Sequence, residues 1–283
     1  MSIQRIGIIG SGTMGSGIAE VAAVAGCDVR LCDSAARQLE KSRQNIRASL
    51  DRAARRGKLP PADIESVMAR IDFQLSTAAV ADCDFIIEAI VENADAKRQL
   101  HVELARIARP EVVLASNTSS ISISMLGEAS GRQERFVGMH FFNPVPIMPL
   151  VEVIRGRATS DETLAVTEEL ARRFGKTPVR ANDAPGFVAN RVLMPLINEA
   201  IFALADGVAD AKCIDQIMVL GCNHPMGPLA LADLIGLDVC LFILEVLQRD
   251  TGDSKFAPCP LLRQMVAEGR LGRKSKRGFY EYT

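Results

Sequence analysis

The sequence predicts an α/β domain built on a parallel sheet, followed by an all-helical domain, and three observations carry that expectation. Short apolar runs alternate with helical patterns through the first two thirds of the chain. A glycine-rich turn, Gly10-x-Gly12-x-x-Gly15, joins the first run to the first helical pattern. Beyond Asp183-Ala184-Pro185-Gly186 the pattern is helical almost to residue 270, which places the boundary between units of residues 1–184 and 185–283. At 283 residues, the chain also exceeds the usual size of one domain.

The elements follow in order. Ile3 to Ile9 form an apolar run that ends at Gly10, and Met14 to Ala25 carry apolar residues at 14, 18, 21, 22 and 25, the spacing of a helix face. Gly26 supplies a helix stop, and Val29 and Leu31 alternate with Arg30 and Cys32 into a second strand closing at Asp33. Residues 35–70 are helical and highly charged, with Pro60-Pro61 breaking them into a helical hairpin inserted in the sheet domain. Strands are expected near 71–75, 84–91 and 112–116, with a helix over 94–108. The last of these strands opens into the polar loop Asn117-Thr118-Ser119-Ser120, at the carboxyl end where open parallel sheets bind ligands. Two more strands, 135–140 and 149–154, flank Phe141 to Pro149, a segment stiffened by prolines at 144, 146 and 149.

Composition bounds the function. Apolar residues make up 48% and charged residues 24%, as in a folded globular protein. With 33 basic against 34 acidic residues, the chain carries no global field for nucleic acid or an anionic membrane, so neither is expected as a partner. Seven cysteines without a C-x-x-C pair suggest neither a disulfide framework nor a zinc or other metal site, and read as reduced core residues. No apolar stretch approaches the roughly 20 residues of a membrane span, and the chain enters its first strand without a charged leader, so a cytoplasmic protein is expected.

Any glycine-rich turn can match this pattern by chance. Here it follows an expected strand, opens an expected helix and is followed by an acidic residue at the end of the second strand, which together point to a Rossmann-type dinucleotide-binding domain. The first glycine permits a tight turn, the second lets backbone approach a pyrophosphate, and the third lets the helix pack closely on the strand. The helix start, with Thr13 and Met14, then turns N–H groups toward the phosphates. Asp33, 18 residues after Gly15 at the end of the second strand, is placed to accept from ribose hydroxyls. Its charge favours NAD over a 2′-phosphorylated cofactor, although Arg30 and Arg37 lie nearby in sequence.

The chain has three histidines to weigh as the base that a hydroxyl oxidation needs. His101 falls in the polar helix 94–108 and reads as solvated, and His224 lies in the turn Asn223 to Pro228. His140 ends a strand just before Phe-Phe-Asn-Pro; taken alone it reads as a structural histidine. Around it, GxGxMGxGIA (10–19), EAIVEN (88–93), NTSSI (117–121), HFFNPV (140–145), DAPGFVANR (183–191), PMGPLALADLIGLD (225–238) and KRGFYEY (276–282) occur in order. This set, spanning essentially the whole chain, resembles the 3-hydroxyacyl-CoA dehydrogenase family, especially its stand-alone 3-hydroxybutyryl-CoA members.

The resemblance implies roles. His140 becomes the general base for the 3-hydroxyl, with Glu152 on the next strand paired to its imidazole. Ser119 and Asn190 become the residues that hold the 3-oxygen and the substrate, and Ser119 a cofactor contact as well. Glu92, Lys97, Asn143 and Lys274 match positions that touch the nicotinamide cofactor. Ser49 and Arg56, on the inserted hairpin, are the matches for a serine and a lysine that contact coenzyme A, with arginine in the lysine's place. The resemblance also implies a homodimer through the helical domain, for which the apolar content of 196–247 is suited.

The residues alone support blander readings too: Glu152 as an exposed strand residue, Ser119 as a helix cap, Asn190 as a polar residue packed deep in the helix that begins near Gly186, and Arg52, Arg55, Arg56 and Lys58 as a solvated charged face. Two other functions stay open at this point, a gulonate-type sugar-acid dehydrogenase of the same fold and a non-catalytic nucleotide-binding protein.

Overall fold

The computed structural model describes residues 3–283. It divides into two compact units, one ending at Asp183 and the other running from Ala184 to Thr283.

The first unit is built on one eight-stranded sheet. Its strands are β1 (Arg5–Ile9), β2 (Asp28–Cys32), β3 (Ile71–Gln74), β4 (Phe85–Glu88), β5 (Val113–Ser116), β6 (Phe136–Phe141), β7 (Leu150–Arg155) and β8 (Thr177–Asn182). They lie in the order β3-β2-β1-β4-β5-β6-β7-β8. Every neighbouring pair is parallel except β6 and β7. Helices α1 (Thr13–Val24), α2 (Ala36–Arg55), α3 (Ile64–Ala69), α4 (Ala94–Ile107), α5 (Ile123–Ser130) and α6 (Asp161–Arg173) make the connections. A link of only residues 142–149 is too short for a crossover helix, so β7 returns antiparallel to β6.

Parallel strands covered on both faces are apolar throughout, as in Ile6, Ile8, Phe85, Ile86, Ile87 and Leu114, all fully buried. In contrast, α2 buries one stripe, Leu39, Ser42, Ile46 and Leu50, and leaves the rest of its 20 residues largely to solvent. The chain leaves β1 in one direction across the sheet and returns through β4 in the other. The carboxyl ends of β1 and β4 therefore border a topological switch point.

Neither α6 nor β8 has a counterpart among the elements expected from sequence. β8 is an edge strand with four of its six residues exposed, Thr177, Val179, Arg180 and Asn182, and its mixed Thr-Pro-Val-Arg-Ala-Asn composition carries no apolar run.

The second unit packs α7 (Ala189–Ala205), α8 (Ala211–Cys222), α9 (Pro228–Ile235), α10 (Leu237–Thr251) and α11 (Pro260–Ala267) around Met194, Ile197, Ile201, Leu229, Leu244 and Phe256. The motif KRGFYEY closes this unit. The Asp233 carboxylate accepts from the Phe279 and Tyr280 N–H groups and the Tyr282 hydroxyl, each at 3.0 Å. Asp215 accepts from the Tyr280 hydroxyl at 2.7 Å and from Leu229 and Ala230 N–H at the start of α9. A Cβ at Gly278 would fall 1.9 Å from Asp233 Oδ1, which requires glycine there.

The cysteines depart from the expected pattern: five are buried, but Cys213 and Cys222, both on α8, are exposed. Among the described residues, no helix is long and apolar enough to cross a membrane.

Candidate active site

Each glycine of the opening turn has its own physical reason. Gly10 has φ +99°, and a Cβ there would lie 2.5 Å from the Ala89 carbonyl oxygen. At Gly15 a Cβ would come within 1.7 Å of Gly10 O, so α1 sits directly on the turn. Gly12 differs. Its φ is −65°, open to any residue, and a Cβ would meet nothing within 4 Å. Among the described residues no protein atom demands glycine at 12, and the bare backbone leaves room for a ligand.

The start of α1, at Thr13 and Met14, has no side-chain cap and no acidic residue in its first turn, so its N–H groups suit an anion. Asp33 Oδ2 accepts from Ser11 N–H and Ser11 Oγ, both at 2.9 Å, and Oδ1 accepts from Ala35 N–H at 3.0 Å. The carboxylate is thus fixed beside the glycine turn. A cavity of about 740 Å³ opens here, lined by Gly10, Gly12, Asp33, Leu75, Ile90 and Val91 among others. An anion-ready helix start, a fixed carboxylate and apolar walls for a flat base fit NAD. Arg30 pairs with Asp72 at 2.6 Å.

Glu92 and Lys97 belong to a bonded cluster that reaches Ser119. Glu92 Oε1 accepts from Thr118 Oγ1 at 2.6 Å, from Ser119 and Ser120 N–H at 2.9 and 3.1 Å, and from the hydroxyls of Ser119 and Ser120 at 3.3 and 3.0 Å. One carboxylate oxygen therefore gathers the loop after β5. Lys97 is buried, with Nζ 2.5 Å from Glu88 Oε1, 3.3 Å from Ile90 O and 3.4 Å from Glu92 Oε2.

Glu88 also accepts from Ser116 Oγ at 2.6 Å and Ile90 N–H at 2.8 Å. Burial raises its carboxyl, but the influence of the neighbouring His101 and Lys97 side chains outweighs that and holds it at about 2. His101 Nε2 stands 3.4 Å from Glu88 Oε2 without hydrogen-bond geometry, and Lys97 makes the direct contact. Histidine 101 is fully buried, edge-on to Phe136, and not solvated as the polar look of its helix suggested.

His140 and Glu152 are brought together by the sheet. The antiparallel register of β6 and β7 sets them directly opposite, and His140 Nδ1 lies 2.7 Å from Glu152 Oε2. Both are buried, at 7% and 4% exposure, so Glu152 is not the exposed strand residue its Val-Glu-Val setting implied. A carboxylate only accepts, so Nδ1 donates the proton of this bond. Asn117 Oδ1 accepts from Phe141 N–H at 2.9 Å, tying the Ser119 loop to the strand that carries His140. Asn143 follows on the exposed segment after β6.

Glu88 and Asn117 were not among the expected site residues. Their signal was their place, since each opens a motif (EAIVEN and NTSSI) at the carboxyl end of a central strand.

The remaining positions lie on other elements. Ser49, on α2, donates its hydroxyl to Glu20 Oε1 at 2.8 Å. Arg56 caps the end of α2 and is exposed with Arg52, Arg55 and Lys58. In the second unit, Asn190 is the second residue of α7, not deep within that helix, and is buried; Lys274 is exposed and its Nζ lies 2.6 Å from Asp238 Oδ2. The helix after Ser119 is capped by Ser122, whose oxygen accepts from Met125 N–H.

Comparison with known proteins agrees with this architecture. Residues 5–184 match the NAD binding domain of 3-hydroxyacyl-CoA dehydrogenase, and residues 186–282 match its C-terminal domain. A Deinococcus radiodurans protein named probable 3-hydroxybutyryl-CoA dehydrogenase is 54% identical, over 99% of this chain and 100% of its own. The 3-hydroxybutyryl-CoA dehydrogenase of Bradyrhizobium diazoefficiens is 47% identical, over 99% and 96%. The crystal structure of (S)-3-hydroxybutyryl-CoA dehydrogenase from Ralstonia eutropha superposes with a TM-score of 0.96 at 48% identity, covering all of both chains. With both halves matched in order along nearly its whole length, the chain belongs to the 3-hydroxyacyl-CoA dehydrogenase family.

Proposed function

We propose that this protein oxidises (S)-3-hydroxyacyl-CoA, with short chains such as 3-hydroxybutyryl-CoA favoured, to 3-oxoacyl-CoA, reversibly and with NAD. The observation that carries this reading is the buried His140–Glu152 pair, 2.7 Å apart across β6 and β7 in the same sheet as the dinucleotide turn. NAD, when bound, supplies the hydride acceptor.

The protein residues handle the proton. As hydride leaves C3, electron density must come from the 3-oxygen, and His140 Nε2 takes the hydroxyl proton. Glu152 fixes the ring through Nδ1 and stabilises the imidazolium that forms. Ser119 and Asn190 take the hydrogen bonds to the 3-oxygen that the family resemblance implies. Glu92, by gathering residues 118–120, sets the position of the Ser119 hydroxyl. Gly10, Gly12, Thr13, Met14, Gly15 and Asp33 are assigned to the adenosine and pyrophosphate half of the cofactor, and Glu92, Lys97, Asn143 and Lys274 to the nicotinamide half. Lys97 acts there through Glu88 and Glu92, since its ammonium is enclosed by them.

Ser49 and Arg56 are assigned to coenzyme A. The exposed cations of residues 52–58 support this as a phosphate-binding face. A homodimer through the helical unit is supported by large apolar side chains left in solvent there, including Leu220 at 82%, Ile217 at 62%, Val192 at 64% and Phe242 at 44% exposure. A cytoplasmic location is supported by seven cysteines that are all free thiols.

The test is to offer the purified protein 3-hydroxyacyl-CoA thioesters of several lengths with NAD and with NADP, and to follow reduced nicotinamide. Turnover of the four-carbon thioester with NAD is expected. Silence with every thioester, with turnover of a sugar acid such as gulonate, would overturn the proposed substrate.

A further inference from the structure

Lys176 stands just before β8, 93% hidden from solvent by its 7% exposure, with no carboxylate in hydrogen-bond contact. Its ammonium instead donates to two backbone carbonyls of the segment between β6 and β7, those of Val145 and of Met148, the latter at 2.9 Å. A buried ammonium is costly unless it is compensated, so a lysine whose hydrogen bonds go to main-chain oxygens holds them strongly. The segment is also tied by a turn at Pro144, whose carbonyl accepts from Ile147 and Met148 N–H at 2.9 Å, and by Thr177 N–H, which donates to the Pro149 carbonyl at 2.7 Å.

The opposite side of the same segment rests on α1. Val145 is buried at 2% exposure, and a Cβ at Gly17 would lie 2.8 Å from Val145 Cβ and 3.5 Å from Pro146 Cδ. Glycine 17 belongs to the GxGxMGxGIA motif but not to the dinucleotide fingerprint, and this contact is what requires it. One turn further along α1, the buried carboxyl of Glu20 interacts by charge with Lys176 and accepts from Ser49 Oγ at 2.8 Å. The stretch that begins two residues after His140 is thus clamped against the helix that begins at the dinucleotide turn, by close packing at Gly17 and by the Lys176 ammonium.

We infer that Lys176 is a positioning residue for the dehydrogenase reaction: by holding the Val145 and Met148 carbonyls it fixes the segment carrying Asn143 against α1, and so sets Asn143 and His140 relative to the nicotinamide. This rests on the assignment of Asn143 to the nicotinamide half of the cofactor. Displacement of a positioning segment by about 1 Å can cost up to 10²-fold in rate.

The experiment compares Lys176→Met, Gly17→Ala, Asn143→Ala and the double variant Lys176→Met/Asn143→Ala in the full-length protein, with thermal unfolding recorded for each. Lys176→Met should raise KM for NAD and lower kcat, each on the order of tenfold, while KM for the acyl-CoA stays within about twofold. Should that variant fail to fold, Gly17→Ala, which pushes the same segment from its other side, is expected to show the same split. Because Lys176 acts through Asn143, the double variant should be scarcely worse for NAD than Asn143→Ala alone. Wild-type KM for NAD and kcat in a folded Lys176→Met or Gly17→Ala, or defects that add in full in the double variant, overturn the inference. A wild-type KM for NAD in Asn143→Ala overturns instead the assignment of Asn143 on which it rests.

Discussion

Lys97 Nζ lies 2.5 Å from Glu88 Oε1 with both side chains out of solvent, at 1% and 0% exposure, a full ion pair at the carboxyl end of a central strand. Removing one member leaves the other charge buried and unpaired, which costs about 3–5 kcal/mol, whereas an exposed pair is worth about 0–1. Glu88→Gln should therefore lower unfolding free energy by several kcal/mol in urea. Breaking the exposed Arg5–Asp82 pair with Asp82→Asn should barely register. Equal stabilities for the two variants would show that Lys97 finds a different counter-charge.

The glycine turn separates folding from binding. Gly15→Ala forces a Cβ to within 1.7 Å of Gly10 O, so it should disrupt the turn, lowering both stability and NAD affinity. Gly12→Ala adds a methyl group that meets nothing within 4 Å, at an ordinary φ of −65°. It should leave the melting temperature unchanged and weaken NAD binding by about tenfold or more, as read by titration. Full NAD affinity in Gly12→Ala would mean that the pyrophosphate lies elsewhere.

The opening strand, turn and helix were legible because their periods are local: Ile6 and Ile8 alternate into the sheet, and Ile18, Val21 and Ala22 mark the buried face of α1. His140 and Glu152 were legible only as a family pattern. Their meeting depends on an antiparallel register across residues 142–149, which no local period encodes. The burial of Lys97 and His101 was hidden for a related reason. A helix rich in charge reads as solvated, yet α4 turns both toward Glu88, and tertiary pairing overrides polarity. β8 was missed because an edge strand can carry polar residues on both faces, as Thr177 and Arg180 do here.

His140→Gln keeps the size and much of the polarity of the side chain but removes the titrating nitrogen, so kcat should fall by about 10² to 10⁴ with little change in KM for NAD. Glu152→Gln removes the carboxylate behind the ring and should act in the same direction. The two losses should not add, since each disables one unit. Wild-type turnover in His140→Gln would remove the histidine from the mechanism.

Glu20 predicts a pH dependence of stability. Burial pushes its carboxyl up to about 7 from an ordinary 4.5, against the lowering influence of the Ser49 hydroxyl, Arg52 and Lys176. Between those values the native state keeps a proton that the unfolded chain has released, so stability falls as pH rises from about 4.5 through about 7. At 1.36 kcal/mol per pKa unit, the loss across that window is about 3 kcal/mol. Glu88, held low, has the opposite sign, but its contribution is lost only as pH falls below 4.5 toward about 2, outside this window. In Glu20→Gln the amide oxygen can still accept from Ser49, so the variant should fold and show a curve between pH 5 and 8 that is flatter than wild type by about that amount. Urea unfolding at half-unit intervals measures it, and identical slopes in the two proteins would show that Glu20 is ionised throughout.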